Sequence, residues 1–567
     1  MRNAMNSPVS LSPRVTSRWR ALLAATAAGL VLLAVSACGG GGSSNNSDSG
    51  TSSKVNTGST VSSGSAAVVS GPGGTVKVRS SDDLDTFDPA KTGAENMSVQ
   101  ALELAYDRLV YQAPDGKVKP YLASSWTTTP NSATFVIRKG PKCADGTPIT
   151  PKVVADSLRY SLSQKTASPY LGYAVGGGKL KSVTTNSADN SVTVTLTKPY
   201  NALVQSFGTP FPASIICPAG LKNPKGLGAA PQGSGPYSYD KAASSRGSTY
   251  VFKLRPDYNW GPVGWTSKTD GVPQEADFRV VTDETTAANL LTTGEVNISP
   301  IAGISEQRVR ANPSNYDFTY ESLQAGSWGS LFNMTKGLVG ADPAVRHAVF
   351  LALDSNSMTK AAFSDLGVTE DTMVTPNMQC YNKALGKYAV PFDVAQAKSV
   401  LEQDGYKAGS GGTMTKNGKP LKLRIVMWNT TNQLGDFIQQ ELQKVGIAST
   451  VKNTDINTWI NALFTTKDYD FTVYSYYSAF PNPVIIPAQD ASLSIKDPTY
   501  FKLSDEAEAA PGSTACPAWD KAMQRAQTAY IVKPMGVAKN AWFGKGWKFA
   551  APYNVFIDPF TIQQTQK

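Results

Sequence analysis

Alternation of apolar and polar residues predicts strands in the first part of the chain. The segments TVKVRS (residues 75–80), TFVIRK (134–139) and SVTVTLT (191–197) each alternate with a period of two. Successive side chains on a strand point to opposite faces, so this pattern is typical of a strand with one buried face. We therefore predict strands over these three segments.

Helical periodicity follows in other segments, where apolar residues recur three and four positions apart. Such a pattern predicts helices with one buried stripe, and cap residues indicate where they begin and end. The start signals are Thr150, Asp283, Asp342 and Asp393, and the stop signals are Gly294, Gly405 and Gly446. A further apolar stripe over residues 434–442 precedes the last of these glycines. Because strands and helices interleave, we predict a fold of the α/β or α+β class.

The first 37 residues have the pattern of a secretory signal. Several arginines come before an apolar run over residues 21–35, and Val-Ser-Ala-Cys, ending at Cys38, closes the run. A helix of that run would be about 22 Å long, short of the roughly 30 Å hydrocarbon core. The ending resembles the bacterial lipobox, which implies cleavage after residue 37 and a lipid on Cys38. An ordinary signal peptide with a chance cysteine is the alternative.

The segment after Cys38 is dominated by Gly and Ser up to residue 74. It has too little apolar surface to offset the entropy that ordering would cost. We predict a flexible tether over residues 38–74, with the folded part beginning at residue 75.

The charge and the histidine content exclude several functions. The formal net charge of the 567 residues is +10, and loss of the four arginines in residues 1–37 lowers it to +6. With no run of five basic residues, we expect no nucleic-acid partner. The single histidine makes a histidine-based metal site impossible, and we expect no metal and no cofactor.

Eight short motifs follow one another in order. They are DTFDP (85–89), AYDRLV (105–110), PYLASSW (120–126), RKG with DGTP (138–148), GSGPY (233–237), PDYNW (256–260), FN with VRHA and ALD (332–354), and D, AK and GY (393–406). In this order they resemble the opening and middle of the bacterial family 5 extracellular solute-binding proteins. These are the peptide- and nickel-type receptors of ABC importers. The resemblance covers residues 75–565.

The resemblance implies a two-lobed periplasmic-binding-protein-like fold of type II, in its large three-subdomain form, with a hinge between the lobes. The expected ranges are lobe I over 75–323 and 538–567, an extra subdomain of lobe I at about 112–232, and lobe II over 324–537. We place the two hinge crossings near residues 320–326 and 535–542, where Gly326 offers backbone freedom.

Four cysteines remain beyond Cys38. They are Cys143, Cys217, Cys380 and Cys516. An even number in an exported protein favours two disulfides, and three pairings are possible. We favour the first with the second and the third with the fourth, because each bond then lies within one expected lobe. Free thiols are the alternative, and the spacing is not that of a metal site.

The resemblance also places the ligand in a cleft between the lobes. The candidate ligand-binding residues are Gly93, Ala94, Glu95, Asn96, Trp328, Trp428, Asn429, Tyr476, Tyr477, Ser478, Ala479 and Phe480. Aromatic faces with polar tips suit sugar rings or peptide side chains, although core packing is the alternative. Tyr474 and Tyr476 share one face of a strand and Tyr477 has the other, so one set at most can line the cleft.

One departure from the family bears on the solute. In peptide-binding relatives an aspartate in the cleft holds the free ammonium of the peptide. When the family motif is aligned on Pro483, the position of this aspartate corresponds to Ala479, and the position of a second acid corresponds to Asn482. A buried ammonium without its carboxylate costs roughly 3–5 kcal/mol. An ordinary free-amine peptide is therefore disfavoured unless another acid, such as Glu95, serves. A modified peptide, a sugar or another uncharged amphipathic solute fits better.

Other functions compete with import. The chain has no GxSxG, HExxH or P-loop sequence, and His347 lies in a helix that resembles a family helix, so we expect no enzyme. A sugar receptor or a signalling receptor of the same fold stays open, whereas the single histidine disfavours nickel import. We expect a lipid-anchored monomer on the extracellular face of a Gram-positive-type membrane, delivering its solute to ABC permease subunits.

Overall fold

The computed structural model describes residues 60–63, 66–93, 96–323, 325–428, 432–476, 482–552 and 556–566. The strands are β1 (Thr60–Ser63), β2 (Thr75–Ser80), β3 (Val110–Gln112), β4 (Val118–Pro120), β5 (Ala123–Thr129), β6 (Ser132–Ile137), β7 (Leu180–Asn186), β8 (Ser191–Leu196), β9 (Tyr237–Ser245), β10 (Thr249–Leu254), β11 (Glu275–Val280), β12 (Ile298–Ile301), β13 (Phe318–Leu323), β14 (Trp328–Phe332), β15 (Gly367–Thr369), β16 (Lys407–Ala408), β17 (Met414–Lys416), β18 (Lys419–Pro420), β19 (Lys422–Trp428), β20 (Ala448–Thr454), β21 (Phe471–Ser475), β22 (Val532–Gly544), β23 (Trp547–Lys548) and β24 (Gln563–Gln564). The helices are α1 (Asn96–Ala105), α2 (Pro151–Ser161), α3 (Leu171–Val175), α4 (Leu203–Ser206), α5 (Pro218–Lys222), α6 (Glu284–Thr293), α7 (Gly303–Arg310), α8 (Pro343–Ala352), α9 (Ser355–Phe363), α10 (Val394–Gln403), α11 (Asn432–Lys444), α12 (Ile456–Ile460), α13 (Ile485–Ser492), α14 (Pro498–Ala509) and α15 (Cys516–Thr528).

One mixed sheet runs through the centre of the fold. Its order is β20-β19-β21-β14-β22-β12-β2-β11-β10-β9, with β13 and β15 also paired to β22. β2 is parallel to β11, and β19 is parallel to β20, which it reaches through α11. Parallel strands need a crossover of this kind, so the topology confirms the predicted α/β class.

Strand β22 belongs to both sides of this sheet. Its residues 532–536 pair with β14, and its residues 539–544 pair with β13. Because β13 and β14 are consecutive strands, the chain passes from one side to the other once between them and once along β22. Below, we call these sides lobe I (residues 66–323 and 541–566) and lobe II (residues 325–536), and the predicted limits of the lobes remain predictions.

Lobe I carries a second, antiparallel sheet in the order β5-β6-β8-β7. Ala133, Phe135 and Ile137 of β6 are buried, and helix α2 contacts β7 and β8. Alternate burial along β6 is the pattern expected of a sheet with one covered face. This sheet lies within the range predicted for the extra subdomain, whose limits remain a prediction.

The predicted helix starts are confirmed by their cap bonds. The backbone N–H groups of Val153, Thr286, Ala344 and Gln396 donate to Thr150 (3.4 Å), Asp283 (2.7 Å), Asp342 (2.9 Å) and Asp393 (2.8 Å), respectively. Gly294 ends α6 in the left-handed region with φ of 80°. Such caps satisfy backbone groups that have no partner inside the helix, which is why they can be recognised locally.

The strand predictions need small corrections. β2 has the predicted bounds, whereas β6 ends at Ile137 and not at residue 139. Arg138 leaves the ladder because its N–H donates to the carbonyl of Leu122 at 2.8 Å. β8 ends at Leu196, one residue early, because the N–H of Thr197 donates to the carbonyl of Lys179 at 2.9 Å.

Ordered contacts begin before the predicted start of the folded part. β1 pairs with β13, Val68 forms a bridge with Thr565, and the N–H of Gly71 donates to Asp270 Oδ1 at 2.8 Å. A Gly/Ser-rich segment can add backbone hydrogen bonds to an open sheet edge without apolar side chains of its own. The described part of the predicted tether is therefore attached to the body. The predicted signal over residues 1–37 and the lipidated Cys38 lie outside the described residues.

Both predicted disulfides are present. Cys143 is bonded to Cys217 in lobe I, and Cys380 is bonded to Cys516 in lobe II, which confirms the favoured pairing. The bonds close loops with sequence separations of 74 and 136 residues. Cross-links of this span stabilise a fold mainly by restricting the unfolded chain. Among the described residues, no helix combines the length and the apolar composition of a membrane span.

Candidate functional site

Lobe II gathers aromatic rings at the ends of β19 and β21. Tyr474 of β21 stacks on Trp459 of α12, with ring centroids 5.5 Å apart and 16° between the ring planes. Trp428, the last residue of β19, lies 6.5 Å from Trp459 at 30°. Stacked rings of this kind make a flat apolar surface with polar edges. The predicted Trp428 is therefore part of an aromatic cluster, which also contains Trp459, a residue that sequence reasoning missed.

Tyr476 lies next to this cluster but directs its hydroxyl into lobe II. The residue is fully buried, its ring meets that of Tyr474 edge-on at 5.1 Å, and its hydroxyl donates to Asp490. The hydroxyl of Tyr500 donates to the other oxygen of Asp490 at 2.6 Å. Burial raises the pKa of Asp490 to about 6, against the effect of the two hydroxyl donors. These bonds fix the end of β21.

Trp328 is brought to the same place by strand pairing. It begins β14 opposite Ser475 of β21, and its ring packs against Phe363 at 5.3 Å with 80° between the planes. Just before it, Gly326 has φ of 94°, and a Cβ there would lie 1.9 Å from the carbonyl oxygen of Tyr476. Only glycine fits this position. The crossing between lobes is thus packed directly against the end of β21.

In lobe I, Gly93 is held between a carboxylate and a tyrosine. Its N–H donates to Asp85 Oδ2 at 2.5 Å, and its carbonyl accepts from the hydroxyl of Tyr170 at 2.8 Å. Asp85 also accepts from the hydroxyl of Thr92 at 3.0 Å. The predicted Asn96 is the first residue of α1. Gly93 is therefore positioned by polar contacts on both its amide and its carbonyl.

An aromatic cluster in lobe I was missed by sequence reasoning. The ring of Tyr170 lies 4.6 Å from that of Phe211 and 5.2 Å from that of Tyr173. Because Tyr170 bonds Gly93, this cluster adjoins the predicted segment of lobe I. No periodic pattern marks these residues, since Tyr170 precedes a helix of only five residues and Tyr173 lies within it.

Polar side chains join the lobes beside this cluster. The amide of Gln489 in α13 donates to the hydroxyl of Tyr173 at 3.0 Å, and the amide of Asn482 donates to Gln205 Oε1 in α4 at 3.1 Å. Asn482 also donates to Gln379 at 3.4 Å. Asn482 is the position at which the family pattern places a second acid. Here an amide at this position makes the contact between the lobes.

A second contact between the lobes is built on helix α14. The side-chain amide of Asn201 donates to the carbonyls of Ala507 and Ala510, both at 2.9 Å. Glu508 receives two backbone donors from lobe I: Asn201 N–H on its carbonyl at 2.9 Å and Gly177 N–H on its carboxylate at 3.1 Å. Burial raises the pKa of the Glu508 carboxyl to about 7, although the Gly177 bond opposes this. Lobe I thus caps the C-terminal end of α14.

Several predicted site residues lie outside the described residues. They are Ala94, Glu95, Asn429, Tyr477, Ser478, Ala479 and Phe480. Their roles remain predictions. Among the described ones, the structure brings Trp328, Trp428 and Tyr476 together in lobe II and places Gly93 and Asn96 in lobe I.

Histidine takes no part in this region. His347, in α8, stacks on Tyr530 with ring centroids 4.0 Å apart and 7° between the planes. Burial lowers the pKa of its imidazole. Within the described residues, no group of three or more His, Cys, Asp or Glu side chains is arranged to hold a metal ion.

The geometry just described can be compared with known proteins. The sequence profile described as "Bacterial extracellular solute-binding proteins, family 5 Middle" matches residues 117–491. This range covers more than half of the chain. The chain belongs to family 5 of the bacterial extracellular solute-binding proteins.

Family 5 relatives agree with this assignment. The chain is 24% identical to the nickel-binding periplasmic protein of Escherichia coli (strain K12) over 386 residues, which are 64% of this chain and 70% of that protein. It is 26% identical to the glutathione-binding protein GsiB of Salmonella paratyphi A over 385 residues, 67% of this chain and 69% of that one. Both relatives are described as binding proteins, which fits binding and not catalysis.

A solved structure is similar to most of the chain. A substrate binding protein from Microbacterium hydrocarbonoxydans, complexed with 4-hydroxybenzoate hydrazide, is 26% identical with a TM-score of 0.72. The match covers 87% of this chain and 100% of that one. The two-lobed type II fold predicted from the sequence is therefore confirmed.

Proposed function

We propose that this family 5 protein is the extracellular receptor of an ABC importer and captures a peptide-like or other small amphipathic solute by closure of its lobes. The observation that carries this proposal is the set of hydrogen bonds between lobes, led by Gln489 with Tyr173 and Asn482 with Gln205. Tyr173 belongs to the aromatic cluster of lobe I, and Asp490, the residue after Gln489, accepts from Tyr476 beside the cluster of lobe II. A solute held between the two clusters would be enclosed on both sides.

The hinge of this motion is proposed at residues 320–326 and 535–542. Support comes from the pairing of β13 and β14 with different parts of β22, which leaves two chain crossings between lobes. Few backbone torsions then need to change when the lobes move as rigid bodies. A solute shifts the population toward the closed form only if it binds that form better.

The solute class follows from the aromatic clusters and from the residues around them. Trp428, Trp459 and Tyr474 supply stacked apolar faces, and Asn482 and Gln489 supply amides. Such a lining is typical of sites for small amphipathic ligands. A peptide-like solute is favoured because a relative is named for glutathione. An oligosaccharide is the second candidate, since stacked rings also cover sugar faces.

Membrane attachment through Cys38 completes the proposal. The Val-Ser-Ala-Cys sequence supports lipidation, and two or three acyl chains anchor a protein firmly at about 0.8 kcal/mol per buried CH₂. We expect a Cys38→Ala variant to appear in the soluble fraction when cells are fractionated. A variant that stays with the membrane as the wild type does would contradict the lipid anchor.

Native mass spectrometry of the purified protein tests the receptor function. We expect a mass excess from a solute that co-purifies, together with thermal stabilisation by one pool of a panel made of casein hydrolysate, mixed oligosaccharides and glutathione. A ligand at a hundred times its Kd stabilises the fold by about 2.7 kcal/mol. No mass excess and no stabilisation by any pool would overturn the proposal. Stabilisation by the oligosaccharides alone would favour the second candidate.

A further inference from the structure

A small cavity lined by both charged and apolar side chains lies inside lobe I, apart from the aromatic clusters. Its volume is about 10 Å³, enough for one water-sized group. The residues that line it and matter here are Glu103, Arg108, Tyr111, Gln112, Phe556 and Asp558.

The charges around this cavity do not balance. Glu103 and Asp558 are carboxylates that are 2% and 3% exposed, and Arg108, 4% exposed, is the cation that faces them. One oxygen of Glu103 is paired with Arg108. Asp558 accepts from the hydroxyl of Tyr111 and from the N–H of Phe560, which are both neutral donors. When both acids are ionised, the cavity has one negative charge in excess, which a buried site tolerates poorly.

Polar atoms in the wall also lack partners. The second oxygen of Glu103, Nε of Arg108 and both polar atoms of the Gln112 side chain make no hydrogen bond within the described part of the chain. Buried polar groups are normally paired, because an unpaired one loses its bonds to water without replacement. The acceptors among them, Glu103 and Gln112, are suited to a donor group in the cavity. The aromatic rings of Tyr111 and Phe556 line the same space, and such rings favour cations.

The cavity lies close to the contact between lobes. Gly208, which lines it, donates its N–H to the carbonyl of Gln205 at 2.9 Å. The side chain of Gln205 accepts from Asn482 of lobe II. One turn of chain therefore separates the cavity wall from the place where the lobes meet.

We propose that this cavity is a subsite for a primary ammonium group, through which lobe I holds the basic end of the captured solute. The inference rests on the proposed receptor function. It supplies, from Glu103 and Asp558, the negative charge that the family pattern would place at Ala479. An ammonium head is the size of a water molecule, carries the missing positive charge and offers three donors to the unpaired acceptors.

Ammonium binding at this subsite weakens in acid. Burial raises the pKa of Glu103 to about 7 and that of Asp558 to about 6. The charged and titratable groups that face Glu103 are Arg108 and Asp558. Those that face Asp558 are Tyr111 and Arg108. A cation binds the ionised carboxylates, so its affinity falls as the pH drops through this range and the acids take up protons.

Thermal unfolding of the full protein with methylammonium chloride tests the subsite. Potassium chloride and tetramethylammonium chloride at equal ionic strength are the references. The potassium ion has no hydrogen-bond donors, and tetramethylammonium is too large for the cavity. A ligand at ten times its Kd multiplies the folded-to-unfolded ratio by about eleven, so we expect a higher midpoint with methylammonium alone. The increment should shrink when the pH is lowered from 8 to 5, because this range spans the pKa of Asp558 (about 6) and the pKa of Glu103 (about 7).

Two variants make the measurement specific. Asp558→Asn removes one charge and keeps an acceptor for Phe560, and we expect it to abolish the methylammonium increment. Asp115→Asn makes the same change in an exposed turn of lobe I and should retain it. Equal stabilisation by potassium, no increment in the wild type, or an increment that survives Asp558→Asn would each overturn the subsite. Because this measurement needs no captured solute, its outcome is independent of the mass spectrometry that tests the receptor function.

Discussion

At the residue scale, a few polar side chains in mostly apolar surroundings hold the lobes together. Gln489 and Asn482 reach lobe I through single amide donors, and Asn201 reaches lobe II through two. A hydrogen bond of this type contributes about 1 kcal/mol net. Contacts of that size can stabilise a closed form and still be broken when the solute is released.

Glu508 makes the contact between lobes sensitive to pH. Its pKa in the fold is raised by burial to about 7, from an ordinary value of 4.5. Below pH 4.5 both the folded and the unfolded chains hold the proton; as the pH rises toward 7 the unfolded chain releases it first, so this group lowers the free energy of unfolding. We expect Glu508→Gln to lose less stability over this range than the wild type, by on the order of 3 kcal/mol.

Urea unfolding at several pH values between 4.5 and 8 measures this difference. Glu506→Gln is the matched control, because Glu506 is an exposed glutamate on the same helix, α14. It should leave the pH dependence of the wild type unchanged. Parallel curves for the wild type and Glu508→Gln would contradict the assignment.

At the scale of elements, α14 and its cap from lobe I form the clearest contact between lobes. The side-chain amide of Asn201 donates to the carbonyls of Ala507, which also accepts from the N–H of Ala510 at 3.3 Å, and of Ala510, which follows the helix. The exposed pair of Lys198 with Asp505, at 2.8 Å, adds little beside it. The Asn201 side chain is therefore the group on which this contact depends.

Replacing Asn201 with alanine should open the molecule more often. Two hydrogen bonds at about 1 kcal/mol each shift the balance between the forms by about 2 kcal/mol, close to a thirtyfold change. Hydrogen exchange at the Gly177 amide, which bonds Glu508 across the lobes, should accelerate by a similar factor. Asn131→Ala is the control, since Asn131 bonds Leu196 within lobe I. Unchanged exchange in Asn201→Ala would contradict this role.

Local signals in the sequence predict the helices and strands, whereas contacts between residues that are far apart in the chain cannot be predicted from them. Asp283 and Asp393 mark helix starts because each cap bond spans three residues. Asn201 and Gln489, by contrast, bond partners 306 and 316 residues away, and nothing in the nearby sequence indicates them. The same holds for Trp459, whose stacking depends on how α12 packs on the sheet. Of the aromatic segment that the resemblance assigns to the cleft, Tyr476 is described, and its hydroxyl donates to Asp490 inside lobe II.

At the scale of the whole molecule, the sheet itself connects the two lobes. β22 pairs with β13 in lobe I and with β14 in lobe II, and it is the return path of the chain. Each lobe has its own disulfide, and neither bond crosses between lobes. The covalent cross-links therefore stiffen the lobes and leave motion between them free. This arrangement is what capture by closure requires.

The distance between the lobes tests capture by closure most directly. Spin labels on Lys181→Cys and Lys502→Cys, both exposed and on opposite lobes, report that distance by electron paramagnetic resonance. A pair at Lys181→Cys and Lys222→Cys within lobe I is the control. We expect two distances in protein freed of solute, a shift to the shorter one when the co-purifying solute is returned, and no change in the control. A single distance between lobes that the solute leaves unchanged would contradict the mechanism.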